Sequence, residues 1–241
     1  MDVSKYQAFA ANLFGGFEDI NLLITAFTHR SYLNEHRKTA SEHNERLEFL
    51  GDAVLELVVT EYLYSNYPEP EGVLTNWRSA LVRTESISEA ATKQGFEPLL
   101  RLSRGEKRGS ERARQQILAN CYEAVVGAVY LGSGYDAAKA FITKSLLPMF
   151  DGILQSGSWL DPKSRLQELV QNREGFTPQY KLLKEEGPDH DKSFEVGVFV
   201  NDKLKGKGGG PSKQAAQVAA ATHALSHYQK ARQIDNRGAN L

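Results

Sequence analysis

Glu45, Glu48 and Asp52 stand at three- and four-residue intervals inside the run HNERLEFLGDAVLELVV, His43 to Val59. At ~100° per residue, Glu48 and Asp52 lie only ~40° apart around a helix, and Glu45 is one turn before Glu48. Three carboxylates therefore share a face, where they repel one another unless a cation sits among them. Oxygen donors without Cys or His ligands suit a hard, octahedral ion that keeps much of its water, which points to Mg²⁺ with Mn²⁺ as a substitute. Glu48 and Asp52 are half of such a site. Asn120 and Glu123, three residues apart on a second helical stretch, share a face and are the candidates for the other half.

The elements that must position these groups are helices. Leu47, Leu50, Val54, Leu57 and Val58 fall largely on the side opposite the acids, as an amphipathic helix packed on a core requires. From Lys5 to about Phe150 apolar residues recur at three- and four-residue intervals between Gly and Pro breaks, which predicts an all-α domain over residues 1–151. GILQSGSW, Gly152 to Trp159, is rich in small residues and has no period, so residues 152–160 read as a linker.

A second domain is expected over residues 161–229. Pro162 to Asn172 reads as a short helix with Asp161 as its N-cap and Pro162 in its first position. Pro178 to Glu185 and Ser193 to Val200 read as strands, with Phe194, Val196, Val198 and Val200 alternating inward, and Lys203 to Lys207 fits a short third strand. Ser212 then caps an Ala-rich helix to about Tyr228, giving the order α-β-β-β-α, and residues 230–241 are expected to be a frayed tail.

Composition narrows the class. The 241 residues, 41% hydrophobic, are enough for one good core and a second smaller one. No stretch approaches the ~20 apolar residues of a membrane span and no leader pattern opens the chain, so a cytoplasmic protein without membrane contact is expected. The single cysteine, Cys121, excludes an intrachain disulfide and any multi-cysteine metal site, and its apolar context fits core packing. A net charge of −1 conceals two basic segments. Residues 101–114 carry six Lys or Arg against two Glu, and residues 202–213 carry four Lys against one Asp.

Over roughly Asp161 to Tyr228 the chain resembles a double-stranded RNA-binding domain. The resemblance is carried by KSRLQELVQ, with Ser164, Gln167, Glu168 and Gln171 on its exposed side, by the loop GPDH with Pro188 and His190, and by GKGGGPSKQAAQ with Lys213. It implies that the first helix and the loop read the shallow minor groove, while Lys213 and its helix N-terminus meet phosphates. Gln214 stands where the family usually has a second basic residue, and Gln217 where it often has an acid.

HNERLEFLGDAVL resembles the most characteristic motif of the ribonuclease III family. THRSYLNEH (Thr28 to His36), EGVLTNWRSALV (Glu71 to Val82), LSRGEKRG (Leu102 to Gly109) and ILANCYEAVVGAVYLGSGY (Ile117 to Tyr135) resemble its other blocks in order. The resemblance implies a ribonuclease III catalytic domain ahead of the RNA-binding one. It also implies a metal-dependent endoribonuclease that hydrolyses double-stranded RNA to 5′-phosphate products with short 3′ overhangs, commonly in rRNA and mRNA precursor processing. In-line attack on a phosphodiester gathers negative charge, so such hydrolysis needs fixed cations and a lowered water pKa.

By the family pattern, Glu48 and Glu123 would ligate the metal directly, while Asp52 and position 120 would hold metal-bound water. Most members have Asp where this chain has Asn120. An amide oxygen still accepts a hydrogen bond or touches a hard ion but brings no charge, so metal affinity should fall by an amount on the order of 10–100-fold. Glu45 and Glu71 match further family acids near the cleavage centre. His29 and Ser31 have no Ser/His/Asp arrangement to serve and read as local packing. Phe49 matches a residue that inserts into a partner subunit, which implies a homodimer with one site for each strand. No small-molecule cofactor is implied. An alternative class stays open at this stage, a non-cleaving or weakly cleaving double-stranded RNA-binding protein on the same fold, because of Asn120 and Gln214.

Overall fold

The computed structural model of the chain describes residues 3–36, 42–188 and 192–238. Two compact units emerge, Met1–Trp159 and Leu160–Leu241.

Among the described residues the first unit is helical: α1 (Ser4–Phe14), α2 (Ile20–Ala26), α3 (Arg30–His36), α4 (Glu45–Asn66), α5 (Glu71–Leu81), α6 (Thr84–Lys93), α7 (Glu111–Ser145) and α8 (Phe150–Ser156). Three short 3₁₀ turns, Glu97–Leu99, Glu106–Arg108 and Leu147–Met149, join them. α4 and α7 pack along each other at the centre. From α4 they bury Leu47, Val54, Leu55, Val58, Val59 and Leu63, and from α7 Ile117, Leu118, Cys121, Tyr122, Val125 and Val126. Each such side chain contributes roughly 1.5–3 kcal/mol by leaving water. Phe9, Phe27 and Phe96 close one end of this core edge to face, with ring centroids 5.0–5.4 Å apart. Ser110 starts α7 as a side-chain cap, its Oγ accepting from the Ala113 N–H at 3.2 Å. Gly134, at φ 82°, interrupts the helical path and divides α7 into two helical stretches.

Two expectations need correction here. Leu57 does not face the core: it is 57% exposed, on one stripe of α4 with Phe49 (83%) and Tyr64 (80%). Residues 152–160 are not a free linker either. α8 continues to Ser156, Ile153 is buried, and Trp159 packs edge-on against Trp77 with centroids 5.9 Å apart. The apolar residues of this segment dock on the helical unit, and that tertiary contact overrides a sequence too short to show a period.

The second unit has the order α9 (Pro162–Glu174), β1 (Gln179–Glu186), β2 (Ser193–Val200), β3 (Lys203–Gly210), α10 (Lys213–Gly238). The strands form an antiparallel sheet in the order β1-β2-β3. Asp161 caps α9, Oδ1 accepting from the N–H groups of Lys163 and Ser164 at 3.0 and 3.2 Å. The β2–β3 turn places both Asn201 (φ 47°) and Asp202 (φ 58°) in the left-handed region that a tight hairpin demands. Val196, Val198 and Val200 bury one face of the sheet against Leu166 and Val170 of α9 and Ala216, Ala220, Ala221 and Ala224 of α10.

β3 runs three residues past the expected Lys207, through the glycines. A Cβ on Gly206 would stand 2.6 Å from the Ala220 carbonyl oxygen, and one on Gly208 would stand 2.1 Å from the Ala220 nitrogen. The glycines therefore continue the strand where an alanine face must lie directly on it. α10 also outlasts its expected end at Tyr228, and its backbone stays helical to Gly238 in place of the tail expected from residue 230. Residues 229–237 contain no Gly or Pro to stop it.

Candidate catalytic centre and RNA-binding surface

Glycines set the acid centre. Gly51 of α4 lies between Glu48 and Asp52, and it meets α7 so closely that a Cβ there would stand 1.7 Å from the Glu123 carbonyl oxygen. Reciprocally, a Cβ on Gly127 would stand 2.3 Å from the Leu47 carbonyl oxygen. This crossing brings the acids of two helices together, and their charges act on one another. Glu123 is pushed up to about 8, first by burial and then by the negative charges of Asp52 and Glu48. Glu48 is also raised, by burial, then by Glu45, against a hydrogen bond from the Asn120 side chain, and by Asp52. Among the described residues, no cation is one of the groups acting on either.

The amide of Asn120 donates to Glu48, while its Oδ1 accepts from Gln116 Nε2 at 2.7 Å. Glu48, Asp52, Glu123 and Asn120 are thus brought together as the sequence predicted. Glu45 stands at the rim: its charge reaches Glu48, but its carboxylate pairs with Arg30 at 3.4 Å and lies 3.8 Å from His43. Glu71 lies elsewhere in this chain. It opens α5, accepts from the Thr75 hydroxyl at 3.1 Å, and lines a separate hollow with Tyr64, Tyr67 and Arg78.

Among the described residues, no three His, Cys, Asp or Glu side chains are closed around a point as a ready-made metal cage. The donor set nevertheless fits a hard divalent ion: acids from two crossed helices, of which Glu48 and Glu123 are raised in pKa by burial and then by neighbouring negative charge. Reading the residues alone missed Gly51, Gly127 and Gln116. Gly51 had a signal, since glycine inside a helix costs about 1 kcal/mol relative to alanine and so needs a packing reason.

His29 and Ser31 bond to each other (Nδ1 to Oγ, 2.8 Å), and Ser31 Oγ accepts from the Ser103 N–H at 3.1 Å. Burial holds His29 below the ordinary histidine range. The pair ties α3 to the basic segment 101–114. That segment is not uniformly free for RNA. Arg101 donates to Thr28 Oγ1 at 3.0 Å and lies over the Tyr32 ring, and Arg114 pairs with Glu97 at 3.6 Å. Arg104, Lys107, Arg108 and Arg112 are exposed.

In the second unit Gln167, Glu168 and Gln171 are exposed on the side of α9 away from the buried Leu166 and Val170, with Ser164 half-buried beside its bond to Asp161. Pro188 is exposed in the β1–β2 loop, and His190 lies outside the described residues. Lys213 stands at the start of α10, over the Phe194 ring and 3.8 Å from Glu185. Lys163 Nζ donates to Gln217 Oε1 at 2.7 Å, so the position expected to be acidic keeps a polar contact without the charge.

Crossed helices carrying an acid centre, joined to an α-β-β-β-α unit with a polar helix face and a lysine at a helix start, define a nuclease class that acts on duplex RNA. The family described as Ribonuclease-III-like matches residues 19–150, and the double-stranded RNA binding motif matches residues 162–228. The chain belongs to the ribonuclease III family and is a double-stranded-RNA-specific endoribonuclease. It is 46% identical to Ribonuclease 3 of Enterococcus faecalis, over 87% of this chain and 91% of that protein. It is 42% identical to Ribonuclease 3 of Latilactobacillus sakei, over 93% and 98%. The solved nuclease domain of ribonuclease III from Campylobacter jejuni superposes with a TM-score of 0.52 at 36% identity, covering 58% of this chain and 96% of that domain. The non-cleaving alternative finds no support in these likenesses. Among the described residues, no helix is long and apolar enough to cross a membrane.

Proposed function

We propose that the enzyme is a cytoplasmic, Mg²⁺-dependent homodimer that cuts both strands of duplex RNA, leaving 5′-phosphates and short 3′ overhangs, in rRNA and mRNA precursor processing. The observation that carries the metal is the crowding of Glu48, Asp52 and Glu123 on two crossed helices, with Glu123 pushed up to about 8 by burial and by the charges of Asp52 and Glu48. Glu48 and Glu123 would hold the ion, with Mn²⁺ as a substitute, and Asp52 and Asn120 would orient water beside it. When bound, the ion supplies charge for the oxygens of the phosphodiester and lowers the pKa of an attacking water.

The chain's own contribution is position. The Gly51–Glu123 contact fixes the spacing of the acid pairs, Gln116 and Glu48 hold the Asn120 amide from both ends, and Arg30 restrains Glu45. The second unit presents Gln167, Glu168 and Gln171 for the minor groove and Lys213 for phosphate.

The dimer is supported by the uncovered stripe of Phe49, Leu57 and Tyr64 on α4, and by a hollow of about 870 Å³ beside Phe49 whose wall combines Leu22, Leu47, Leu50 and Leu131 with the polar Thr25, Glu42, His43, Glu45 and Arg46. A second copy related by a twofold axis would seat its Phe49 there, so that each chain offers the other both knob and socket. The Campylobacter jejuni nuclease domain is itself described as having a region involved in dimer formation.

The test is cleavage of a long RNA duplex and of a single strand of equal length, with Mg²⁺, with chelator, and with a Glu123→Ala variant. The duplex alone should be cut, and only by the parent protein with Mg²⁺. Cleavage that survives chelation or the variant would overturn the metal assignment.

A further inference from the structure

Two histidines of the second unit serve neither the acid centre nor the RNA face. His223 and His227 stand four residues apart on the exposed side of α10, with their Nε2 atoms 3.1 Å apart. His223 is fixed from behind. Its Nδ1 lies 3.1 Å from the backbone nitrogen of Lys207 on β3 and 3.2 Å from the carbonyl oxygen of the same residue.

That backbone unit offers the ring a donor and an acceptor side by side. With Nδ1 accepting from the Lys207 N–H, the proton sits on Nε2 and is shared with His227. With Nδ1–H donating to the Lys207 carbonyl, Nε2 is left with a free lone pair. A histidine that ligates a metal through one nitrogen almost always donates its other N–H to such a carbonyl, which fixes tautomer and ring orientation. The tautomer needed for ligation is therefore available without moving the ring.

The spacing of the two Nε2 atoms selects the ion. With metal–nitrogen bonds of about 2.0–2.1 Å, a separation of 3.1 Å gives a nitrogen–metal–nitrogen angle of about 95–100°. That is close to the cis angle of a tetragonal or octahedral ion. Imidazole pairs suit late first-row divalent cations, and tetragonal geometry favours Cu²⁺ and Ni²⁺ among them. Nothing at this site resembles the all-oxygen donor set of the acid centre.

We infer that His223 and His227 form a two-imidazole site for a late first-row divalent cation, with the Lys207 carbonyl as the supporting acceptor. The ion takes both Nε2 atoms, water completes its coordination, and the proton formerly on His223 Nε2 moves to Nδ1. Because the site is ~15 Å along α10 from Lys213 at 1.5 Å per residue, it braces the helix against β3 without touching the phosphate contact.

Electron paramagnetic resonance of the full-length protein with one equivalent of Cu²⁺, in excess Mg²⁺ to fill the acid centre, tests this. The expected spectrum shows hyperfine splitting from two imidazole nitrogens. His223→Gln and His227→Gln should each remove the two-nitrogen signal and weaken Cu²⁺ binding by more than about tenfold, while duplex RNA binding and cleavage stay at the parent level. A two-nitrogen signal that persists in both variants assigns the copper to other histidines and overturns the proposal. So does a parent spectrum without two nitrogens.

Discussion

The main chain of Glu123 faces the α-carbon of Gly51 so closely that no larger residue fits, a Cβ there standing 1.7 Å from the Glu123 carbonyl oxygen. One contact thus fixes both the depth of the helix crossing and the spacing of three acids. Gly51→Ala should force α4 and α7 apart, and overpacking of this kind costs about 1–3 kcal/mol. Thermal unfolding should come about 2–12 °C lower, taking 2–4 °C per kcal/mol for a chain of this size. Cleavage should fall further than the stability loss explains, because the acid pairs separate. Parent-level activity in the alanine variant would show that this contact does not set the site.

Charge in the acid centre should make stability depend on pH and, with the proposed ion bound, on metal. Glu123 has an ordinary value of 4.5 and a folded value of about 8. Below pH 4.5 it is protonated in both states, and its folded environment carries no ionic cost. Between 4.5 and 8 the unfolded chain ionises while the fold resists, so this contribution is lost as pH rises. Glu48 acts in the same direction. In chelator, Glu123→Gln should therefore unfold at a higher temperature than the parent at pH 8 and at nearly the same temperature at pH 4.5. Mg²⁺ should narrow the gap by stabilising only the parent. An equal gap at both pH values would refute the coupling.

Much of this was legible in the sequence. Acids at three- and four-residue spacing opposite leucines and valines identified the helix, and the alternating valines after Ser193 identified the sheet. What escaped was what depends on a second element. Leu57 follows the apolar period but belongs to an uncovered stripe. Gly206 and Gly208 look like the end of a strand until the alanines of α10 lie on them. Trp159 reads as linker until it meets Trp77. Gly51 looks like a weak point in a helix, and its meaning lies in the Glu123 carbonyl.

The Asn120 amide donates to Glu48 and its oxygen accepts from Gln116. Asn120→Asp would remove the donor that favours the Glu48 carboxylate and add a fourth acid to the centre. The variant should be less stable than the parent in chelator at neutral pH, yet bind Mg²⁺ more tightly, by an amount on the order of tenfold. Opposite signs are the point of the measurement, made by unfolding in chelator and by Mg²⁺ titration of cleavage. An unchanged titration would show that position 120 contributes little to the site.

Among the described residues of the first unit, Phe49 is the most exposed large apolar side chain, beside a hollow large enough for a ring. If the stripe of α4 is a twofold seam, Phe49→Glu places two unpaired carboxylates in it, and loss of a central aromatic anchor alone costs about 2 kcal/mol or more. Sedimentation equilibrium should then find a monomer of 26.8 kDa in place of a dimer. A monomeric parent, or a variant of unaltered mass, would remove the seam from this face.

Lys213 is held over Phe194 and near Glu185 at the start of α10, where the helix dipole favours a phosphate. Its pairing with Glu185 is exposed and contributes little to stability, so Lys213→Ala should leave the fold intact. Duplex RNA binding should weaken to a similar degree for unrelated sequences, because the contact reads charge and not base edges. The slope of log affinity against log salt should become shallower by about 0.7–0.9, the release of one counterion. Gln214, beside it, carries no charge to compensate, so no neighbour on that turn should restore the slope. A loss of affinity at constant slope would mean that Lys213 acts through packing on Phe194 instead of through phosphate.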